Sequence, residues 1–246
     1  RIPSEVPPCV RKDGKGVRKF TKGVAKPFDQ ALTRSMVDTT KALVKETNAS
    51  IGYTQSDEIT LIWVRRSEKQ SEHIYGGKVS KINSILASMA AATFNYYIAK
   101  YAPTTYAGKG LAYFDCRAWS VPDEVEASNV LLWRIQDAEK NSISSLYRWT
   151  LGHSKMQGLS GRDMIEQLRV HSGVHWEDVP ETFRYGSIIN KKAVQTKLSN
   201  STLAKIPNDK KPKEGYITRN IFVENSAKLF REEMLENRIK AVLPPC

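Results

Sequence analysis

Residues 51–64 read Ile-Gly-Tyr-Thr-Gln-Ser-Asp-Glu-Ile-Thr-Leu-Ile-Trp-Val. The runs Ile51–Gln55 and Ile59–Val64 are rich in β-branched and aromatic residues, and Ser56-Asp57-Glu58 between them is polar. This pattern predicts a tight β-hairpin that carries Asp57 in its turn. Upstream, Pro7-Pro8 leads into a short strand through Cys9-Val10 that ends near Asp13-Gly14. Asp29 then reads as an N-cap, and Leu32, Met36, Leu43 and Val44 form the apolar stripe of a helix. Downstream, Val79, Ile82, Leu86, Met89 and Tyr97 mark a longer helix over roughly 78–101, and Leu111–Trp119 alternates as a fourth strand.

Strand, helix, strand, strand, helix, strand is the split βαβ order. It predicts an α+β fold built on a ferredoxin-like antiparallel sheet with its helices on one face. Right-handed crossovers place the first and third strands side by side in the middle of that sheet. Asp13, at the end of the first strand, and Asp57, in the hairpin, should therefore converge at one edge.

Beyond Pro122-Asp123 a mainly helical C-terminal half is expected. Leu131, Ile135, Leu146 and Trp149 support a helix from about 128 to 152, and Ser160 with Asp163 forms a capping-box start for another, ending near Gly173. A short strand over Phe183–Ile189 follows, then an exposed, mobile basic loop from about Thr196 to Gly215, and an amphipathic segment Phe230–Leu243. The organisation read this way is a catalytic unit over 1–122, a helical extension over 123–190, and a basic loop with a C-terminal helix over 191–246.

The chain has 246 residues, 38 Lys and Arg against 26 Asp and Glu, and a formal charge of +12. Eight basic residues fall in 1–30, among them Arg11, Lys12, Lys15 and Lys26, and eight more in 191–220, among them Lys191, Lys192, Lys197 and Arg219. The balance favours a polyanionic partner, most simply nucleic acid. With 40% hydrophobic residues the chain is not disordered throughout, and no apolar run reaches the roughly 18 residues of a membrane span. Cys9, Cys116 and Cys246 make no CxxC pair, and His73, His153, His171 and His175 have no ligand spacing, which argues against zinc and disulfides and predicts a reducing, cytoplasmic compartment. The tryptophans read as core residues rather than as platforms for bases.

Two carboxylates converging at a sheet edge amid Lys and Arg suggest phosphoryl or nucleotidyl transfer with two Mg²⁺ ions. Mg²⁺ needs only one or two carboxylates beside substrate phosphates, and a backbone carbonyl such as that of Gly14 can complete its shell. Glycine at 14 also lets a triphosphate approach the main chain. Read alone, Asp13-Gly14 and Ser56-Asp57-Glu58 are equally ordinary turns.

The segments Val10-Arg11-Lys12-Asp13-Gly14-Lys15-Gly16, Lys26-Pro27-Phe28-Asp29, Gly52–Ile59, Ser80-Lys81, Phe114-Asp115-Cys116-Arg117-Ala118, Trp133–Asp137 and Phe183–Ser187 resemble, in order, those of the tRNA-histidine guanylyltransferase family. The resemblance covers about residues 6–190. It implies a polymerase-palm-like domain that extends tRNA at its 5′ end, in the 3′-to-5′ direction. ATP activates the RNA 5′-phosphate, and the 3′-hydroxyl of an incoming GTP then displaces AMP. It also implies a homotetramer.

Carried over, Asp13 and Asp57 hold the metals with the Gly14 carbonyl, and Glu58 assists. The loop Gly14, Lys15, Gly16 and Val17 lies by the nucleotide, with Val17 where the family usually has Phe. Ala25 and Asp29 read guanine, Lys26 and Ser56 face the triphosphate, and Lys78, Lys81 and Arg117 face the triphosphate or the RNA end. A His-Ile-Asn-Asn motif linked to histidine-tRNA specificity is replaced by Glu139-Lys140-Asn141-Ser142. That resembles the bacterial, archaeal and phage-borne members that favour templated 5′-end repair. A palm-fold nucleotidyl cyclase, whose hairpin motif Tyr53–Glu58 does not fit, and a non-catalytic RNA-binding protein are the alternatives.

Overall fold

The computed structural model describes residues 1–64, 73–212, 214 and 216–236. The hairpin forms as read, from β2 (Ile51–Gln55) and β3 (Glu58–Ile62), with Ser56 and Asp57 alone in the turn. Ser56 takes φ 54°, a left-handed conformation more often given to glycine. β1 (Pro8–Lys15) pairs with β3 on one side and with β4 (Tyr113–Ser120) on the other, both antiparallel. The order β4-β1-β3-β2 reproduces the ferredoxin-like arrangement, with the first and third strands adjacent.

Alternation along the strands decides what covers each face. Ile59 and Leu61 face α2 (Gln30–Thr47) and α3 (Val79–Tyr101), burying against Met36, Leu43, Val44, Phe94 and Ile98. Gly52 leaves room on this face, where a β-carbon would come within 2.6 Å of a Val44 methyl. Cys9, Ile51, Tyr53 and Ile62 point the other way, into a core shared with α4 (Glu124–Leu151), α5 (Gly161–Ser172) and α8 (Ala227–Glu236). The C-terminal helices therefore cover the face that the palm's own helices leave bare.

Two caps match their local sequence. The Leu32 N–H donates to Asp29 Oδ1 at 2.8 Å, and Ser160 and Asp163 cap α5 reciprocally. The helix expected from 128 begins earlier, because Asp123 accepts from the Glu126 N–H at 2.9 Å and so caps α4.

The reading beyond residue 180 needs correction. Phe183 belongs to a short helix, α6 (Glu181–Arg184), and β5 runs over Ser187–Lys197 rather than ending at Ile189. β6 (Tyr216–Ser226) pairs with β5 along its whole length, from Ser187 with Ser226 to Lys197 with Tyr216. The stretch read as loop is thus the connection at the tip of a β-ribbon, sharing only Thr196 and Lys197 with β5 and holding a short turn of helix, α7 (Asn200–Leu203), and the ribbon's two strands widen the sheet to six. Lysine-rich strand residues look like loop because their side chains face solvent, while the backbone hydrogen bonds that hold them leave no mark in the side-chain pattern. The C-terminal helix is described over Ala227–Glu236; residues 237–243 of the expected segment, with Cys246, Lys213 and Gly215, lie outside the described residues. No helix among the described residues is long and apolar enough to cross a membrane.

Candidate active site

The end of β1 and the β2–β3 turn meet directly. Asp13 stands opposite Glu58 in the β1–β3 ladder, and the Gly14 N–H donates to the Asp57 carbonyl at 3.2 Å. Burial raises the Asp57 carboxyl above the usual carboxylate range, an effect that the Ser56 hydroxyl, 3.0 Å away, opposes and the charge of Asp13 reinforces. Asp13 is raised as well, by desolvation first and then by Glu58, with Arg11 pulling the other way. Burial and neighbouring carboxylates thus disfavour the charge on both groups, so a nearby cation favours the doubly ionised pair.

Gly14 has a steric reason. A β-carbon there would lie 2.3 Å from a Val17 methyl and 3.1 Å from both Cβ and Oδ2 of Asp57. The missing side chain leaves a cradle beside the Asp57 carboxylate. Two carboxylates from adjacent strand ends around such a space fit a hard divalent cation that takes its other ligands from phosphate and water. Among the described residues no group of three or more His, Cys, Asp or Glu forms a metal cage.

Gly14→Ala should cost about 1–3 kcal/mol of stability through overpacking and displace Asp57. Adding Val17→Ala should recover stability but not the Asp57 geometry. Thermal melts and turnover of the single and double variants check the split.

Glu58 is held from two sides. Arg11, on β1, reaches it through Nε at 3.1 Å and through a second contact from Nη2, and Arg134, on α4, reaches it through Nη1 at 3.1 Å. Arg134 also pairs with Asp137 at 3.3 Å. These ion pairs tie β1, the hairpin and α4 into one unit, so the geometry favours a positioning role for Glu58 over direct assistance.

Asp57 and Glu58 open into a cavity of about 320 Å³. Of the residues singled out by sequence, Val17, Ala25, Lys26, Asp29 and Ser56 also line it. Asp29 serves twice, as the α2 cap and as part of the cavity wall. Asp13 and Gly14 are not in its wall and adjoin it through the hydrogen bond from the Gly14 N–H to Asp57. Lys15 ends β1 and Gly16 caps α1 (Val17–Phe20) at φ 70°, and neither is in the wall, which α1 enters at Val17.

Lys78 and Lys81 are not in the cavity wall. They begin α3 beside Gly77, which accepts from the Ile2 N–H, whereas Phe94 farther along that helix packs on Phe114, opposite Gly14. From Lys81 to Phe94 the helix rises roughly 20 Å. Arg117 is an exposed β4 residue paired with Asp115 at 3.4 Å. Lys12, counted among the basic residues, is fully buried, and desolvation lowers its ammonium to about 8. It adds nothing to the basic surface.

The sequence reading passed over Asp115, which stands directly across the β1–β4 ladder from Asp13. It also passed over Gln55, Asn141, Ser145, Trp149 and Phe183 in the cavity wall. Asn141, Ser145 and Trp149 recur every four residues, the signal that they share a helix face. Trp149 and Trp133 are exposed, against the reading of the tryptophans as core.

Comparison with known proteins now bears on this geometry. The family model described as Thg1, tRNAHis guanylyltransferase, matches residues 1–122. A solved bacterial tRNA(His) guanylyltransferase (Thg1)-like protein in complex with ATP is 37% identical, with a TM-score of 0.73 over 78% of this chain and 82% of that one. Another, in complex with GTP, is 29% identical, with a TM-score of 0.72 over 98% and 92%. The tRNA(His) guanylyltransferase of Saccharomyces cerevisiae is 26% identical over 205 residues, 76% of this chain and 84% of that protein.

Proposed function

Since the chain belongs to the Thg1 family of tRNA(His) guanylyltransferases, and is thereby a nucleotidyltransferase, we propose that it extends tRNA at the 5′ end in the 3′-to-5′ direction with divalent metal. The observation that carries this reading is the meeting of Asp13 and Asp57, through the Gly14–Asp57 hydrogen bond, beside a cavity that also holds Lys26 and Asp29. A structural turn has no need of two carboxylates whose charges are both disfavoured by burial and by neighbouring acids.

In the first step an RNA 5′-phosphate oxygen attacks the α-phosphorus of ATP, and pyrophosphate leaves. In the second, the 3′-hydroxyl of GTP attacks the activated 5′-phosphorus, loses its proton, and AMP leaves. Mg²⁺ bound by Asp13, Asp57 and the Gly14 carbonyl would lower the cost of the attacking oxyanion and of the departing phosphate. Glu58, fixed by Arg11 and Arg134, keeps the hairpin in place. Asp29 accepts from the N1 and N2 hydrogens of guanine beside the Ala25 main chain, and Lys26 offers a flexible positive charge to phosphate. Ser56 holds the Asp57 carboxylate through its hydroxyl.

tRNA is the natural macromolecular partner of this chemistry, and Lys191, Lys192, Lys197 and Arg219 on the β5–β6 ribbon offer its backbone positive charge. By family resemblance we extend the proposal to a cytoplasmic homotetramer, and to templated repair because of Glu139-Lys140-Asn141-Ser142.

The test mixes the protein with Mg²⁺, ATP, GTP and a 5′-monophosphorylated tRNA lacking its first nucleotide, beside an intact histidine tRNA. Extension of the truncated tRNA alone means repair, and extension of the intact one means guanylylation. No product from either sinks the reading.

Metal linkage gives a second readout. The raised carboxyls bind protons more readily in the folded chain than in the unfolded one, so ionising them as pH rises removes stability. Cation binding to the ionised pair reverses that loss. Mg²⁺ at neutral pH should raise Tm by several degrees, since about 2.7 kcal/mol is gained at 100 times Kd. The rise should fade as pH falls through the raised carboxylate range, and chelator should erase it.

A further inference from the structure

Four of the five tryptophans of the chain lie away from the cavity, and one stands in its wall. Trp63 donates its indole N–H to the Thr47 carbonyl at 2.9 Å, and Trp176 donates to the Ser142 hydroxyl at 3.0 Å. Trp149, on the last turn of α4, is 54% exposed. The Lys26 ammonium sits 5.7 Å from its ring centroid, so an indole face is turned toward the strip Ala25–Asp29 across the cavity. Phe28 and Phe183, also in the wall, pack on each other with centroids 5.2 Å apart. Their faces are engaged, whereas among the described residues the face of Trp149 meets only the Lys26 ammonium, which also donates to the Thr21 hydroxyl at 3.4 Å.

The cavity thus has carboxylates where the hairpin enters its wall, at Asp57 and Glu58, and an open indole where the end of α4 does, at Trp149. A nucleoside triphosphate has the same division. Its phosphates suit the carboxylate end with metal, and its base suits an indole plane. A large apolar ring left half open to water also gains from being covered.

We propose that Trp149 is the stacking platform for the purine base of the bound nucleoside triphosphate, a role that rests on the nucleotidyl-transfer reading above. Stacking accepts any purine, because every base has a π-face. Asp29 hydrogen-bonds a base edge and discriminates guanine from adenine. Affinity and identity are therefore held by different residues on opposite walls. When the base arrives, Lys26 leaves the indole and turns to phosphate.

The test is calorimetric titration of the full chain with GTP, ATP and ribose 5-triphosphate, which lacks a base. Trp149→Ala should weaken GTP and ATP alike, by roughly 5- to 150-fold, and leave ribose triphosphate unchanged. Trp149→Phe should recover most of the loss. Asp29→Asn should instead change the GTP-to-ATP ratio. GTP should quench tryptophan fluorescence in the wild type, and Trp149→Phe should bind GTP with that quenching lost. Because Trp149 is exposed, its variants should melt within a few degrees of the wild type.

Unaltered GTP binding in Trp149→Ala overturns the platform. So does a loss for ribose triphosphate equal to that for GTP, which would mean a general disturbance of the site. A wild-type protein that binds no GTP overturns both the platform and the nucleotidyl-transfer reading. GTP binding without tRNA extension sinks only the latter's chemistry and leaves the platform standing on the titrations.

Discussion

Asp57→Asn is expected to reduce 5′ extension of tRNA by at least roughly 10³-fold while leaving the protein folded. The two effects separate because of what Asn retains. Its side-chain oxygen can still accept from the Ser56 hydroxyl, now 3.0 Å from Oδ1, and the main-chain link from the Gly14 N–H to the carbonyl of residue 57 is untouched. What disappears is the negative charge. That charge is unfavourable in the metal-free fold, since burial and Asp13 both raise the Asp57 carboxyl. The metal-free variant should therefore melt at or above the wild-type temperature at neutral pH, and Mg²⁺ should no longer raise its Tm. A variant that loses turnover together with its fold would make Asp57 a structural residue. One that keeps turnover would remove it from the metal site.

Gly186→Ala should be the most damaging single-methyl change for stability, at about 3–5 kcal/mol. Gly186 joins α6 to β5 at φ 82°. A β-carbon there would lie 2.5 Å from the Thr54 carbonyl oxygen and 2.7 Å from the Tyr53 hydroxyl, and neither can move freely. Thr54 pairs with Ser187 in the β2–β5 ladder, and the Tyr53 hydroxyl donates to the Tyr185 carbonyl at 2.8 Å. Relief of the clash would push β5 off the sheet at the hairpin that carries Asp57. At about 2–4 °C per kcal/mol for a chain of this size, the melting temperature should fall by roughly 10 °C or more. Gly108→Ala is the control: its φ is 74°, but nothing lies within 4 Å of the added carbon, so only the backbone cost of about 1–2 kcal/mol remains. Equal losses in the two variants would deny the close approach its role.

The hairpin, its neighbours in the sheet and the Asp13–Asp57 meeting were legible because each depends on short-range features. Ile51 and Tyr53 alternate against Gly52, and Ile59 and Leu61 alternate against Thr60, so the faces follow from a two-residue period. Asp29 and Ser160 announce their helices because a cap is a contact across three residues. Crossover handedness then leaves few sheet orders, and the carboxylates fall together at strand ends.

Glu58 was legible as a carboxylate of the hairpin but not as one locked by Arg11 and Arg134. Those partners come from 47 and 76 residues away, and no local pattern links them. Trp149 was visible as one of an apolar series with Leu131, Ile135 and Leu146. Its exposure depends on how α4 is rotated over the sheet, and it lies between the buried Tyr147 and the end of the helix.

The sequence by itself thus determined the caps of α2 and α5, the strand faces, the palm order and the meeting of Asp13 with Asp57, since hydrogen bonds and side-chain periods within a few residues encode them. Only the tertiary structure decided that β5 and β6 extend the sheet, that Lys12 is buried, that Lys78 and Lys81 stand away from the cavity, and that an exposed indole faces it. Those outcomes turn on backbone pairing and helix docking between distant segments, where the free energy comes from burial and ladder hydrogen bonds shared by residues that no local window contains.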